Sequence, residues 1–101
     1  MERFWLKDYP PGVPADVDVT QYHSLPELME DSFRSYAERR AFVFMDHALT
    51  YAEVDRLSAA FGAWLQAQGL ARGARVAIMM PNVLQYPVAL AGALRAGCVV
   101  V

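Results

Sequence analysis

Arg75-Val76-Ala77-Ile78-Met79-Met80-Pro81-Asn82, read together with the run Ala93-Leu94-Arg95-Ala96-Gly97-Cys98-Val99-Val100-Val101, decides the fold. Arg75 to Met80 follows an Arg72-Gly73 turn and is nearly unbroken apolar, the pattern of a parallel strand covered on both faces. Pro81-Asn82 ends that strand, and Asn82 with Gln85 has the form of a helix cap. The predicted helix runs from Val83 to Ala96, strained near its start by Pro87 and stopped by Gly97. Ala89, Ala91, Gly92 and Ala93 make it small and apolar nearly all round, as expected of a helix covered on several sides. Cys98 to Val101 then opens another buried strand. Residues 75–101 read as one β-α-β unit, with parallel strands and a right-handed crossover.

Upstream of this unit, Thr50-Tyr51-Ala52-Glu53 is a capping box: a hydroxyl to satisfy an orphan amide, and a carboxylate that reaches back. It opens a helix whose apolar stripe is Val54, Leu57, Phe61, Trp64 and Leu65. Gly69 stops that helix, and Leu70 is placed for the hydrophobic contact of a Schellman-type cap. Ala41 to Met45 and Ala48-Leu49-Thr50 predict a β-hairpin with Asp46-His47 near its turn. Ser24-Leu25-Pro26-Glu27 is a further helix start, with the helix expected to run to about Arg39 and to bury Leu25, Leu28, Met29, Phe33, Tyr36 and Ala37. Before it, Pro10, Pro11 and Pro14 forbid regular helix and favour an extended arm with turns. Its Phe4, Trp5, Leu6 and Tyr9 are expected to pack on the body or on a neighbouring subunit. The division is therefore an aromatic, Pro-rich arm over 1–23 and an α/β unit over 24–101, with three helices, a hairpin and the β-α-β unit.

The composition of the 101 residues, 55% hydrophobic and 20% charged, is that of a folded chain and not of a disordered tail. So apolar a surface in so short a chain, ending on Val99-Val100-Val101, is expected of a fragment whose partners lie elsewhere. Nine basic and eleven acidic residues are scattered, with a net charge of -2, so no basic stripe exists for a nucleic-acid backbone. The one adjacent basic pair, Arg39-Arg40, reads as a solvated helix end. A single cysteine, Cys98, allows no internal disulfide and suits a reducing cytosol. It reads as a buried strand residue and not a nucleophile, because His23 and His47 are remote in sequence. Met1 to Tyr9 lacks the apolar centre of a signal peptide. The densest apolar stretch, Val83 to Leu94, contains Gln85 and Pro87 and falls short of the about 20 residues a spanning helix needs. A soluble, cytoplasmic protein is expected, with peripheral association at the inner face of the membrane left open for the parent.

Catalytic signatures are not found. There is no G-x-x-x-x-G-K-[ST], G-x-G-x-x-G, G-x-S-x-G, C-x-x-C or H-E-x-x-H. Asp16, Asp18, Glu27, Glu30 and Asp31 fall on a solvated arm or a helix's polar face, His47 has no partner at ligand spacing, and Arg72 and Arg75 read as turn charges. No catalytic, cofactor-binding or metal-binding residue is assigned.

Two stretches nevertheless carry a resemblance. Leu49-Thr50-Tyr51-Ala52-Glu53-Val54 resembles the first core motif of the adenylate-forming, AMP-binding superfamily, L-[TS]-Y-x-E-L. Leu94-Arg95-Ala96-Gly97-Cys98-Val99-Val100 resembles its second, L-K-A-G-x-x-x-V-P, and the spacing between the two, with Gly73-x-Arg75-Val76-Ala77 and Pro81-Asn82, fits as well. Trp5-Leu6, Tyr9-Pro10, Val13-Pro14, Tyr36-Ala37, Ala41-Phe42-Val43 and Met79 to Ala89 are similar to bacterial long-chain fatty-acid-CoA ligases. Val54 stands for the usual Leu and Arg95 for Lys.

The resemblance implies the N-terminal segment of an acyl-CoA synthetase. In the parent, a fatty carboxylate attacks the α-phosphate of ATP, with Mg²⁺ offsetting charge, and coenzyme A then displaces AMP from the acyl-AMP. The elements performing this work in the family lie downstream of the matched region, so the segment alone is expected to be inactive and to bind no ATP, Mg²⁺ or CoA. The implied partner is the remainder of the ligase domain, together with self-association through the exposed strand and the N-terminal arm. A medium-chain or aryl-acid CoA ligase piece, or a free-standing interaction module pairing with a full-length ligase, are the alternatives.

Overall fold

The computed structural model describes residues 1–101 as an α/β arrangement of three helices and two separate two-stranded sheets. In chain order these are α1 (Leu25–Ser35), β1 (Arg40–Phe44), β2 (His47–Thr50), α2 (Tyr51–Ala67), β3 (Arg75–Val76), α3 (Gln85–Arg95) and β4 (Val99–Val100). The hairpin and the parallel β3–α3–β4 unit both form, but β3 and β4 are two residues each where the sequence predicts strands over Arg75 to Met80 and Cys98 to Val101.

The arm differs from expectation at its start. Phe4–Asp8 forms one 3-10 turn, which the prolines do not prevent because they begin only at Pro10. Arg3 clasps the arm into a loop: its guanidinium holds both oxygens of Asp16 at 2.7 and 3.0 Å and the Ala15 carbonyl at 2.8 Å. Phe4 and Trp5 pack edge-on against each other at 5.4 Å, and none of the five residues of the 3-10 turn is buried.

Helix α1 starts where predicted. The Ser24 hydroxyl accepts from the Glu27 amide, while the Glu27 carboxylate reaches past the cap residue to the His23 amide at 2.8 Å. The helix stops at Ser35 and not at Arg39, and Leu25 and Tyr36 stay exposed. The shortening has a tertiary cause. The first amides of α2, on Tyr51 and Ala52, donate at 3.0 Å to the carbonyls of Arg39 and Ala37. Continuing α1 would withdraw those acceptors from a helix end that needs them. Arg39-Arg40 is consequently not a helix end: Arg39 lies 5.3 Å over the Tyr36 ring and Arg40 begins β1.

In the hairpin the turn is Met45-Asp46, one residue earlier than expected, with His47 paired to Phe44 inside the ladder. Met45 carries the positive φ of 52° that so tight a connection requires. Ala41 is bulged out between the paired Arg40 and Phe42.

Helix α2 has both halves of its capping box, Glu53 amide to Thr50 hydroxyl at 3.2 Å and Thr50 amide to Glu53 carboxylate at 2.8 Å. Its buried line is Val54, Ser58, Gly62 and Leu65. The predicted stripe is corrected at one end: Trp64 is 56% exposed and stacks on Phe61 at the helix surface. Size, not hydrophobicity, selects the inner face. A Cβ on Gly62 would sit 3.0 Å from the Gly92 carbonyl, and one on Gly92 would sit 2.7 Å from Phe61 Cδ1 and 2.9 Å from the Ser58 carbonyl. Only small residues let α2 and α3 approach this closely, and an indole at the crossing would hold them apart.

Helix α3 begins at Gln85 after an Asn82 that makes no capping bond, two residues later than expected. The later start also removes the expected strain: Pro87 falls in the first turn, where an amide has no intrahelical partner to lose. At the far end Gly97 (φ 80°) completes a Schellman turn, with the Cys98 amide on the Ala93 carbonyl and the Gly97 amide on Leu94, both at 3.0 Å. The Gly97 carbonyl then accepts from Gly73 at 2.8 Å, which delivers β4 beside β3. Two small cores result, Phe33–Val54–Ala91 under the hairpin and Leu65–Ala93–Cys98 under the parallel pair.

The parallel strands depart most from expectation. Ala74, Val76 and Ile78 are half-buried against the helices, whereas Arg75, Ala77 and Met79 are open, as are Val99 and Val101 on β4 and just beyond it. One face of the pair is covered and the other is bare.

Arg95 ties the three helices together. Its Nη1 donates to the Asp55 carbonyl, the Asp55 carboxylate and the Ser58 hydroxyl within 2.8–2.9 Å, while Nε lies 3.4 Å from Glu30. The guanidinium also covers the Phe33 ring at 5.7 Å. Two predictions follow from this packing. Gly92→Ala forces a methyl into backbone and should cost at least about 2 kcal/mol, read as a lowered denaturant midpoint. Arg95→Lys keeps the charge but loses the fork, and should cost about 1 kcal/mol, with Arg95→Met about twice that because Asp55 and Ser58 lose their donor. Equal midpoints for wild type and Arg95→Met would mean that the network contributes nothing.

Candidate functional site

The polar residues singled out in the sequence are largely occupied with architecture. Asp16 is held by Arg3, whose hydrogen bonds first and charge second lower the carboxyl's pKa, and the Arg3 pKa rises in return. Asp18 takes the amide and hydroxyl of Thr20, and those bonds lower its pKa too. Glu27 caps α1, Glu30 meets Arg95, and Asp31 accepts from Tyr22 at 3.3 Å and lies 3.6 Å from Arg34. Lost hydration raises the Tyr22 pKa, with the Asp31 charge adding to it. The structure therefore places these carboxylates in caps, a turn and ion pairs.

His47 is an exposed strand residue and His23 an exposed pre-cap residue, and no cluster of three His, Cys, Asp or Glu groups occurs. Cys98 is buried and free beneath Leu65 and Ala93. Arg72 packs its stem beside Gly97, while Arg75 stands on the open side of β3. The first turn of α3 is Gln85-Tyr86-Pro87, in which Pro87 has no amide to donate.

What the structure does present is an apolar cleft of about 560 Å³ between α1, the hairpin and the start of α3. Phe33, Val54 and Ala91 form its floor, while Leu28, Phe44 and Tyr86 stand among its walls. Ser32, Asn82 and the hydroxyls of Tyr51 and Tyr86 are its polar members, and no charged side chain lines it. Sequence reasoning missed it. The signal was there in Phe42-Val43-Phe44, three successive apolar residues in a hairpin with no third strand, all of them exposed.

The two core motifs prove to be structural joints. Leu49–Val54 carries the capping box that opens α2, and Leu94–Val100 carries Arg95, the Schellman turn at Gly97 and strand β4. Known proteins share this arrangement. Residues 29–101 match the family described as AMP-binding enzyme. A long-chain-fatty-acid–CoA ligase of Yersinia pestis is 50% identical over the whole chain, which corresponds to 18% of that ligase, in its N-terminal part. Among solved structures, Mycobacterium smegmatis MbtA superposes on 75% of the chain with a TM-score of 0.72 and 37% identity, over 14% of its own length. A fatty acyl-adenylate ligase from L. pneumophila covers 80% of the chain with a TM-score of 0.72 and 27% identity, over 15% of its own length. The chain spans about a fifth of the length of the curated relatives it matches, and within that span it belongs to the AMP-binding enzyme family.

Proposed function

We propose that these 101 residues are the N-terminal scaffold of a bacterial long-chain-fatty-acid–CoA ligase. The observation that carries the reading is identity over the full chain, arm included, to ligases of that name, where the family match alone begins at residue 29. The arm is thus part of what is shared with the long-chain enzymes, and it is not an appended tail. The parent would join a fatty carboxylate to coenzyme A, cleaving ATP to AMP and pyrophosphate, with Mg²⁺ as counter-ion.

The role of this segment in that reaction is positional. Glu27 and Glu53 cap helices, Asp55 and Glu30 pair with Arg95, and its cleft is apolar. ATP, Mg²⁺ and CoA would be held by the rest of the polypeptide, and the segment alone would be inert. A cytoplasmic setting belongs to the same reading, with the buried free thiol of Cys98 suited to a reducing compartment.

Exchange of the matched residues in the full-length Yersinia pestis ligase for this chain tests the proposal. The chimaera should form palmitoyl-CoA from palmitate, ATP and CoA at a rate comparable to its parent. A folded chimaera that prefers a medium-chain or aryl acid would favour that branch, and one without any ligase activity would sink the reading. The isolated chain should form no acyl-adenylate and should self-associate through its open strands and arm. A clean monomer by light scattering at high concentration would refute the self-association.

A further inference from the structure

The arm turns aromatic side chains toward water while its polar groups bond to one another. Its 3-10 turn carries Phe4, Trp5 and Leu6, with Met1 before it and Tyr9 after it. Phe4 is 70% exposed, Met1 and Tyr9 are exposed too, and Trp5 and Leu6 are only half-buried. No residue of 1–23 belongs to either core of the body. Ordering such a segment costs entropy, and hydrogen bonds offset it here. Arg3 holds Asp16 and the Ala15 carbonyl, the Leu6 amide donates to the Arg3 carbonyl at 3.1 Å, and the Tyr9 amide donates to Leu6 at 3.2 Å. An apolar medium could therefore receive the turn without stranding those amides. The charges beside the rings nearly cancel: the Met1 amine and Lys7 stand against Glu2 and Asp8, and Arg3 is already taken by Asp16.

We propose that this turn is a lipid-contact element, with Phe4 and Trp5 dipping into the interfacial layer of a zwitterionic bilayer. The proposal rests on the functional reading above, which supplies the reason for the contact. A long-chain carboxylate partitions into membranes, so a ligase that touches the bilayer meets its substrate there. Trp and Tyr flanking Phe and Leu is the composition of a membrane interface, where a ring sinks while its polar end stays wet. The tip is a five-residue turn, whereas a protein partner of standard size covers about 800 Å² a side. A deformable lipid surface accepts so small a tip without a matching pocket. The nearly cancelled charge of the turn and the net charge of -2 of the chain give no pull toward an anionic surface, which leaves ring insertion as the binding force. The arm also lies within the region that is 50% identical to the Yersinia pestis long-chain ligase, and before residue 29, where the AMP-binding match begins. Two rings without an acyl anchor make a weak, reversible contact, since a single myristoyl chain itself binds with only about 10⁴ M⁻¹. The ligase would visit the bilayer and leave it.

Co-sedimentation of the full-length chimaera with phosphatidylcholine vesicles at millimolar lipid tests this. Binding should be insensitive to added salt, and the pair Phe4→Ser and Trp5→Ser should lower the partition coefficient by about tenfold. Trp64→Ser, which removes an exposed ring from α2, should leave binding unchanged, and so should Lys7→Gln. A solvatochromic dye on Phe4→Cys, in a chimaera with its other reactive thiols replaced, should shift to the blue on vesicles, while the same dye on Gln66→Cys should not. The dye reports on the tip even where the serine pair fails to fold. No binding by the chimaera, equal binding by the serine pair, or a dye at position 4 that stays unshifted would overturn the proposal. Binding confined to vesicles that contain phosphatidylglycerol, and abolished by salt, would overturn it in favour of an electrostatic contact elsewhere. A chimaera that dimerises without lipid, and loses the dimer with the serine pair, would overturn it in favour of a second copy. Vesicle binding without acyl-CoA formation would fail the functional reading alone, whereas palmitoyl-CoA formation without binding would fail the lipid contact alone.

Discussion

The close contact of α2 with α3 is the constraint on which the other packing depends. Gly62 and Gly92 face each other across the crossing with Ser58 beside them, and a single added carbon at either glycine meets backbone or ring atoms at 2.7–3.0 Å. So tight an approach brings the last turn of α3 within reach of Asp55 and Ser58, and only then can Arg95 donate into α2 while it also meets Glu30 on α1. It also puts Ala93 and Cys98 against Leu65, which fixes where β4 leaves the helix and therefore where β3 must lie. A wider crossing would loosen the parallel pair and the ion-pair network together.

Around that contact the polar residues act mainly as joints. The α2 capping box, the Schellman turn at Gly97 and the amides that α2 donates to the turn after α1 each satisfy backbone groups that a helix end leaves orphaned. The two motifs that resemble those of the AMP-binding enzymes hold two of these joints, the α2 capping box and the Gly97 turn. They set chain direction at the entrance and exit of the helices, and a site elsewhere in the polypeptide would inherit that geometry.

The apolar surface is distributed unevenly. Between α2 and α3 the packing is tight, yet β3 and β4 are bare on one side and the hairpin holds Phe42 and Phe44 beside an open cleft. Parallel strands reach their usual stability with layers on both faces, so the chain's two half-covered surfaces and its family membership describe one situation. The fold within the segment is locally complete at its joints and open at its faces.

The sequence by itself determined the elements whose cause is local. Ser24 and Glu27, Thr50 and Glu53, and Gly69 and Gly97 each act on backbone groups within a few residues, so the starts of α1 and α2 and the stops of α2 and α3 were legible with no knowledge of the fold. The hairpin and the β-α-β unit followed from apolar runs between those marks, and the family resemblance from the particular residues of Leu49 to Val54 and Leu94 to Val100. Tertiary structure decided the rest, because the deciding partners are distant in the chain. The end of α1 at Ser35 is set by amides of Tyr51 and Ala52, and the need for glycine at position 62 on the inner face of α2 by the carbonyl of Gly92. The role of Arg95 depends on carboxylates and a hydroxyl some forty residues upstream or further, and the cleft on three elements that meet only after folding. Periodicity reports which residues are apolar, but how closely two helices approach is a matter of volume at the crossing, and that is settled only when both are in place.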